Sequence, residues 1–449
     1  MAGDWEETSL AEVMDVKHGF AFSGENIRDE PPGDILLTPG NFAIGGGFKG
    51  DKFKYFDGEV PADYVLSEGD LVVTMTDLSK QADTLGYPAL VPKPRGPRFL
   101  HNQRLGKVLI KNGAELDKGF LFYLLCTAEY RHEVLASATG TTVKHTSPGR
   151  ILAHKASIPA LAEQKAIAAV LGALDDKIEL NQRMNATLEA MARALFQSWF
   201  VDFDPVRAKL DGRSPVGLDN ATAALFPAAF QESRIGDIPH GWAVGTIDEA
   251  TSLIIDYRGK TPKKMGSDWS ATGIPAVSAK NVKGGRLVRP DMFNFVSEEL
   301  YERWMKDKLA LGDILMTSEA PLGELHYLAL NARFCLSQRI FAMRAHPSRC
   351  EPTFLYYWLE SPACQTDIRN RGSGTTVEGI RQSELRKVSV LLPPIPIQKA
   401  AAKFLVPWTE QIHRNEEQSR TLATLRDTLL PKLLSGELRV GPNLNRNCT

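Results

Sequence analysis

The chain has 449 residues, 24% of them charged and 43% hydrophobic, with 53 Lys and Arg against 54 Asp and Glu. That length predicts two or three domains, and the composition is that of a globular rather than a disordered protein. No apolar run reaches the roughly 18 residues of a membrane span, MAGDWEETSL lacks the layout of a signal peptide, and the 5 cysteines form no CxxC pair; a reduced, cytoplasmic protein without a zinc site is expected.

From the N-terminus, residues 1–159 read as a globular module. Short apolar runs at 34–37, 71–75 and 107–110, bounded by Gly, Pro and Asp, predict strands, and Gly69-Asp70 is a turn feeding the second. Residues 120–131 have helical periodicity, so the module is α+β with strands dominating. A long helix is predicted over 160–200. In it Ile167, Leu171, Leu174, Ile178, Asn181, Asn185, Leu188, Ala192, Leu195 and Trp199 follow at alternating steps of four and three. That is the seam of a coiled coil.

Residues 201–234 lose this period and carry turn pairs (Asp204-Pro205, Asp211-Gly212, Ser214-Pro215), which predict a partly ordered linker. Residues 235–396 then repeat the first module. GDILMTS from Gly312 echoes GDLVVTM from Gly69, LSQRIFAMRA from Leu336 echoes HNQRLGKVLI from His101, and FLYYWLES from Phe354 echoes FLFYLLCT from Phe120. GIPAVSAKNVKGGRLV from Gly273 has no close counterpart in the first half. A second long helix is predicted over 397–438, with a tail at 439–449. At one constant offset it presents Ala401, Leu405, Trp408, Ile412, Asn415, Ser419, Leu422, Arg426, Leu429 and Leu433, so Asn181 and Asn185 correspond to Asn415 and Ser419. A buried Asn in such a seam lowers stability but sets register and partner.

The repeat unit is therefore a module plus its helix. Antiparallel pairing of two helices, each about 60 Å long, would put the modules at opposite ends of a rod in pseudo-twofold relation. They could then address sites about 34 Å apart, one turn of duplex. Pro407, where the first helix has Ala173, is expected to kink the second helix or mark its start.

The near-zero net charge hides one basic patch per repeat. Residues 91–111 carry Lys93, Arg95, Arg98, Arg104, Lys107 and Lys111 and no acid. Residues 256–289 carry Arg258, Lys260, Lys263, Lys264, Lys280, Lys283, Arg286 and Arg289 against Asp256 and Asp268. Such patches suit phosphate contact; clustered solvated charges are the plainer reading.

Catalytic motifs are scarce. Gly45, Gly47 and Gly50 fit G-x-G-x-x-G, but a strand-like segment follows where a dinucleotide site needs a helix. Arg258-Gly259-Lys260-Thr261 resembles the end of a phosphate loop, but Ile254 stands where its first glycine belongs. HExxH, G-x-S-x-G, [DN]PP[FY] and a PD…(D/E)xK core are missing, and His101 and His145 suit hydrogen bonding better than catalysis.

Recognition chemistry remains. Asn and Gln pair with adenine, Arg and Lys with guanine, and Asn102, Gln103 and Arg104 stand where Gln338 and Arg339 stand in the repeat. The alternative for each Gln-Arg pair is a framework role, the arginine held by a carboxylate. Gly140-Thr141-Thr142, with Lys144 and His145 beside it, and Gly374-Thr375-Thr376 suit phosphate oxygens or simple turns equally. Lys80, Gln81, Lys280, Asn281 and Lys283 differ between copies and are the candidates for base reading.

FQSWFVDFDPV after the first helix, IGDIPHGW opening the second module and LLPKLLSGEL closing the second helix are similar to signatures of the specificity subunit of type I restriction-modification systems. GIPAVSAKNVKGG, LSQRIFAMRA and MTDLSKQADTLGYPALVP…LHNQRLGKV resemble that family's target-recognition domains, so the resemblance spans nearly the whole chain. It implies two β-rich target-recognition domains, separated by two long antiparallel coiled-coil helices. Each domain would read one half of a bipartite asymmetric site on double-stranded DNA. It also implies two methyltransferase (modification) subunits docked on the helices, joined by restriction/translocase subunits. S-adenosylmethionine, ATP and Mg would sit on those partners, none in this chain, and no membrane would be involved. Two other readings stay open: a self-sufficient DNA-modifying enzyme with an unrecognised site, and a scaffold whose repeated modules bind protein.

Overall fold

The computed structural model describes residues 5–79, 81–374 and 377–440. The chain divides into two units, residues 1–180 with 418–449, and residues 181–417. The helices Leu161–Phe200 and Ile395–Leu434 each contribute one stretch to each unit. Among the described residues, no helix is long and apolar enough to cross a membrane.

The first unit is built on an antiparallel sheet in the order Met14–His18, Leu105–Ile110, Leu71–Thr74, Pro88–Leu90. All four residues of Leu71–Thr74 are buried, which is why this run is apolar without alternation. A five-stranded sheet joins the strands Phe99–Leu100 and Asp34–Leu36 in parallel. The strand Lys155–Ile158 returns to pair with Glu6–Ser9 and delivers the chain to the first long helix. Residues 120–131 are not one helix. Thr127 caps a new one by accepting from the Tyr130 amide, so Lys118–Leu124 and Ala128–Ala136 are separate. Phe120, Leu121 and Tyr130 pack with Ile167 and Leu171 of the first long helix and with Leu433 and Leu434 of the second.

The second unit repeats that sheet as Thr251–Asp256, Ile340–Ala345, Ile314–Thr317, Leu325–Tyr327, again antiparallel. Ala243–Thr246 pairs with Ser389–Leu392, as Glu6–Ser9 does with Lys155–Ile158. Ile274–Val277 runs parallel to Cys335–Leu336, as Asp34–Leu36 does to Phe99–Leu100. The expectation that the segment from Gly273 lacks a counterpart is therefore corrected. Thr38–Asn41 and Ser278–Asn281 form the same capping box, each with its Asn buried.

The stretch expected to be a linker belongs to the second unit's core. It forms the helices Asp204–Leu210 and Asn220–Leu225, and Phe230–Gln231 pairs with Ile238–Pro239. Val206 and Phe226 are buried with Phe196, Trp199, Phe200, Trp242 and Phe354. The aromatic run FQSWFVDFDPV is thus packing material.

Within each unit the helices pair antiparallel. In the first, Arg426 Nη1 donates to Asp175 Oδ1 at 2.7 Å and Arg439 Nε lies 3.1 Å from Glu163 Oε1. In the second, Asn185 Nδ2 donates to the Ile412 carbonyl at 3.2 Å and Asn415 Nδ2 to Asn185 Oδ1 at 2.8 Å. Asn181 Nδ2 reaches the Asn415 carbonyl at 3.4 Å, and Ser419 is half-buried. Every predicted seam position of the first helix is buried or half-buried. The second helix starts at Ile395, well before Pro407. Pro407 and Lys403 are both exposed, so water can take the Lys403 carbonyl that proline leaves without an amide.

Candidate nucleic-acid interface

Both modules build one junction from matching backbone. In the first, Met75 N donates to the Arg104 carbonyl at 2.9 Å and Thr146 N to the Met75 carbonyl at 3.0 Å. In the second, Ser318 N donates to the Arg339 carbonyl and Ile380 N to the Ser318 carbonyl, both at 2.9 Å. Lys144–His145 pairs with Thr76–Asp77, and a bridge between Glu319 and Gly379 takes the same place. Each junction carries a loop closed by two backbone bonds, between Thr139 and His145 at 2.9 and 2.8 Å, and between Ser373 and Gly379 at 2.8 and 3.0 Å.

Glycine is needed in both loops. Gly140 and Gly374 have φ of +93° and +123°, and a Cβ would stand 2.0 Å from the Val143 carbonyl oxygen and 2.1 Å from that of Val377. Thr141 and Thr142 are exposed, whereas Thr375, Thr376 and Lys80 lie outside the described residues.

On this frame the Gln-Arg segments divide their labour. Their carbonyls hold the sheet, while the side chains of Gln103, Arg104, Gln338 and Arg339 are exposed. Asn102 shapes the turn, its Oδ1 accepting from Arg104 N at 3.0 Å. Gln103, Arg104 and His145 come together with His18, Thr76 and Leu78 around one cleft. His145 Nδ1 lies 3.2 Å from Thr76 Oγ1, and Lys144 beside it is half-buried. Asp77 is buried beneath, accepting from the amides of Ser79 and Thr84 and from Thr84 Oγ1 at 2.5 to 2.6 Å. Burial works against its charge, but the bonds from Thr84 and Ser79 prevail and hold the carboxyl below its ordinary range. This anchors the loop that carries the exposed Gln81.

Several candidates are committed elsewhere. Asn281 is fully buried; its Oδ1 accepts from Ser278 N at 3.2 Å and Ser278 Oγ at 2.9 Å, so it cannot reach a base edge. Arg258 is forked onto Asp256 by two 2.8 Å bonds, donates to the Ile380 carbonyl and stacks 4.1 Å over Phe341. Lys260 Nζ donates to the Trp304 carbonyl at 2.8 Å, and Lys264 Nζ to that of Gly259 at 2.9 Å. Arg286 joins the module to both long helices, 2.7 Å from Glu189 Oε1 and 3.0 Å from Glu416 Oε1. The basic patches are thinner than their sequence implied, since Arg98 is held by Asp34 and Lys107 by Asp70. Lys263, Lys280 and Lys283 stay exposed. Lys283 rides the hairpin Val282–Lys283/Arg286–Leu287, whose turn is Gly284-Gly285, both at positive φ.

His101 is wholly structural. It is fully buried, its Nε2 lies 3.0 Å from the Leu105 carbonyl, and burial pulls its pKa down to about 4. Sequence reasoning missed two structural roles. Asn41 and Asn281 share a Ser/Thr-x-x-Asn spacing that was visible in both copies. Gln164 and Gln398, in the matching QKA runs at the helix starts, are fully buried and make the same three bonds. Gln164 accepts from Asp117 N and donates to the carbonyls of Glu115 and Pro159. Gln398 accepts from Glu351 N and donates to those of Arg349 and Pro393.

The family model for the type I restriction modification DNA specificity domain matches residues 2–190 and 239–422. The chain is 27% identical over 363 residues to the type I restriction enzyme HindI specificity subunit of Haemophilus influenzae, covering 71% of this chain and 77% of that one. It is 22% identical over 442 residues to the EcoBI specificity subunit of Escherichia coli, covering 97% and 86%. The crystal structure of the type I restriction-modification system S subunit from M. genitalium matches its fold with a TM-score of 0.62 at 16% identity, over 96% of each chain. Each matched stretch covers one copy of the module and most of its long helix; the chain belongs to the type I restriction-modification specificity subunit family.

Proposed function

We propose that this chain is the DNA-reading subunit of a type I restriction-modification complex. Residues 1–159 read one half of a bipartite, asymmetric site on double-stranded DNA and residues 235–396 read the other. The helices at 160–200 and 397–438 space the modules, and residues 201–234 connect them. One observation carries this reading. The modules share a backbone frame down to a glycine-dependent loop, while the side chains on it differ: Thr76 against Glu319, His145 against Gly379. A common frame with divergent side chains is what two readers of different sequences require.

Catalysis belongs to the partners in this reading. Two methyltransferase subunits dock on the helices and restriction/translocase subunits join them, bringing S-adenosylmethionine, Mg and ATP, and the complex works in the cytoplasm. The test is to map methylated adenines in DNA from cells expressing this chain with its modification subunits. Modification confined to one bipartite sequence is expected, with binding that weakens steeply as salt rises. Equal binding to all duplexes at physiological salt, or turnover by the isolated chain, would refute the proposal.

A further inference from the structure

The two junctions differ in charge. In the second module Arg339 Nε lies 3.1 Å from Glu319 Oε1, and Arg258 is forked onto Asp256. In the first module the residue opposite His145, in the place of Glu319 opposite Gly379, is Thr76. The next residue, Asp77, is buried and taken up by Ser79 and Thr84, and His18 stands at the strand position that Asp256 holds, opposite Gly106 as Asp256 is opposite Phe341. Among the described residues no carboxylate pairs with the Arg104 guanidinium, although its carbonyl accepts from the sheet as that of Arg339 does; the two backbones differ in that Arg339 has φ of +63°. Arg104 is exposed and lines the cleft with Gln103, His145 and Thr76. Among the described residues the cleft therefore offers a guanidinium without a carboxylate partner, beside hydroxyl, amide and imidazole groups.

A free guanidinium on a fixed backbone matches the paired O6 and N7 acceptors of guanine in the major groove. An arginine already held by a carboxylate, as Arg339 is by its Nε, must give up that contact first. We infer that Arg104 reads a guanine in the half-site of the first module, and that Glu319 withholds Arg339 from the same task in the second. Glu319 then acts as a specificity-determining residue without touching a base. The inference rests on the DNA-reading proposal above and adds a base and a residue to it.

The test uses the full chain in complex with its modification subunits and a set of duplexes in which each base pair of the mapped site is substituted in turn. Arg104→Ala, an exposed substitution, is expected to lose roughly 5- to 150-fold discrimination at one G·C pair of one half-site, leaving the other half-site unchanged. Glu319→Gln removes the charge at nearly constant size. It is expected to create a preference for G·C at one position of the opposite half-site. If Arg104→Ala weakened every duplex alike, the side chain would be a phosphate contact and the inference would fall. It would fall equally if Glu319→Gln altered no position by more than about twofold. A wild-type complex blind to sequence would instead overturn the DNA-reading proposal itself.

Discussion

Replacing Gln164 by leucine tests how each module is fastened to its helix. The amide is fully buried and satisfies three backbone groups, the Asp117 N–H at 2.7 Å and the carbonyls of Glu115 and Pro159 at 2.9 and 2.8 Å. Leucine fills most of the volume but bonds none of them. A buried polar group left without a partner costs about 1–3 kcal/mol. Three such groups, taken at the low end of that range, amount to about 3–4 kcal/mol, and the added apolar surface of leucine returns about 1 kcal/mol. The net loss of about 2–3 kcal/mol should raise the local opening equilibrium roughly 30- to 150-fold. Amide hydrogen exchange read by mass spectrometry across residues 111–164 would measure it. Gln398→Leu should do the same around Arg349, Glu351 and Pro393 in the other unit, where the bonds are 2.7 to 3.1 Å. Gln197→Leu, on an exposed face of the first helix, should leave both regions alone. Acceleration below about threefold at Gln164 would refute the argument that this side chain is the fastening.

Two further outcomes follow from buried polar groups. His101 is held neutral by burial, with a pKa of about 4 against an ordinary 6.5; a histidine so depressed stabilises the fold fully above about pH 6.5 and loses that contribution as pH falls toward 4, up to about 3 kcal/mol. Urea unfolding of the first unit followed from pH 7 to 4 should show this slope, and His101→Leu, which copies the buried Leu336 of the repeat, should flatten it. In the second unit Asn415→Leu removes the donor that Asn185 Oδ1 accepts at 2.8 Å. It should destabilise that unit by about 1–2 kcal/mol, and adding Asn185→Leu should recover part of that loss, because Asn185 Oδ1 is then no longer buried without its donor. A double variant less stable than the single would show that the pair stabilises rather than sets register.

Which features could be read directly from the chain depended on the range of the interactions behind them. The seam from Ile167 to Trp199 and its partner around Ala401 to Leu433 were legible because helical period is local, and seam residues are buried or half-buried as that period requires. The glycine loops were legible because the demand at Gly140 and Gly374 is made by carbonyls three residues on, at Val143 and Val377. The capping Asn pair was equally local, but divergent neighbours hid the match between Thr38–Asn41 and Ser278–Asn281. Residues 201–234 read as a linker because part of their burial is supplied by Phe354, distant in sequence. The composition of the basic patches was likewise plain, but only the folded chain decides which cations are spent. Glu189 and Glu416, from the two long helices, take Arg286. Glu319 takes Arg339, while Thr76, in the matching place, pairs no carboxylate with Arg104. Periodicity and turn chemistry act over a few residues and are written in the chain; charge pairing acts through space, and tertiary structure alone assigns it.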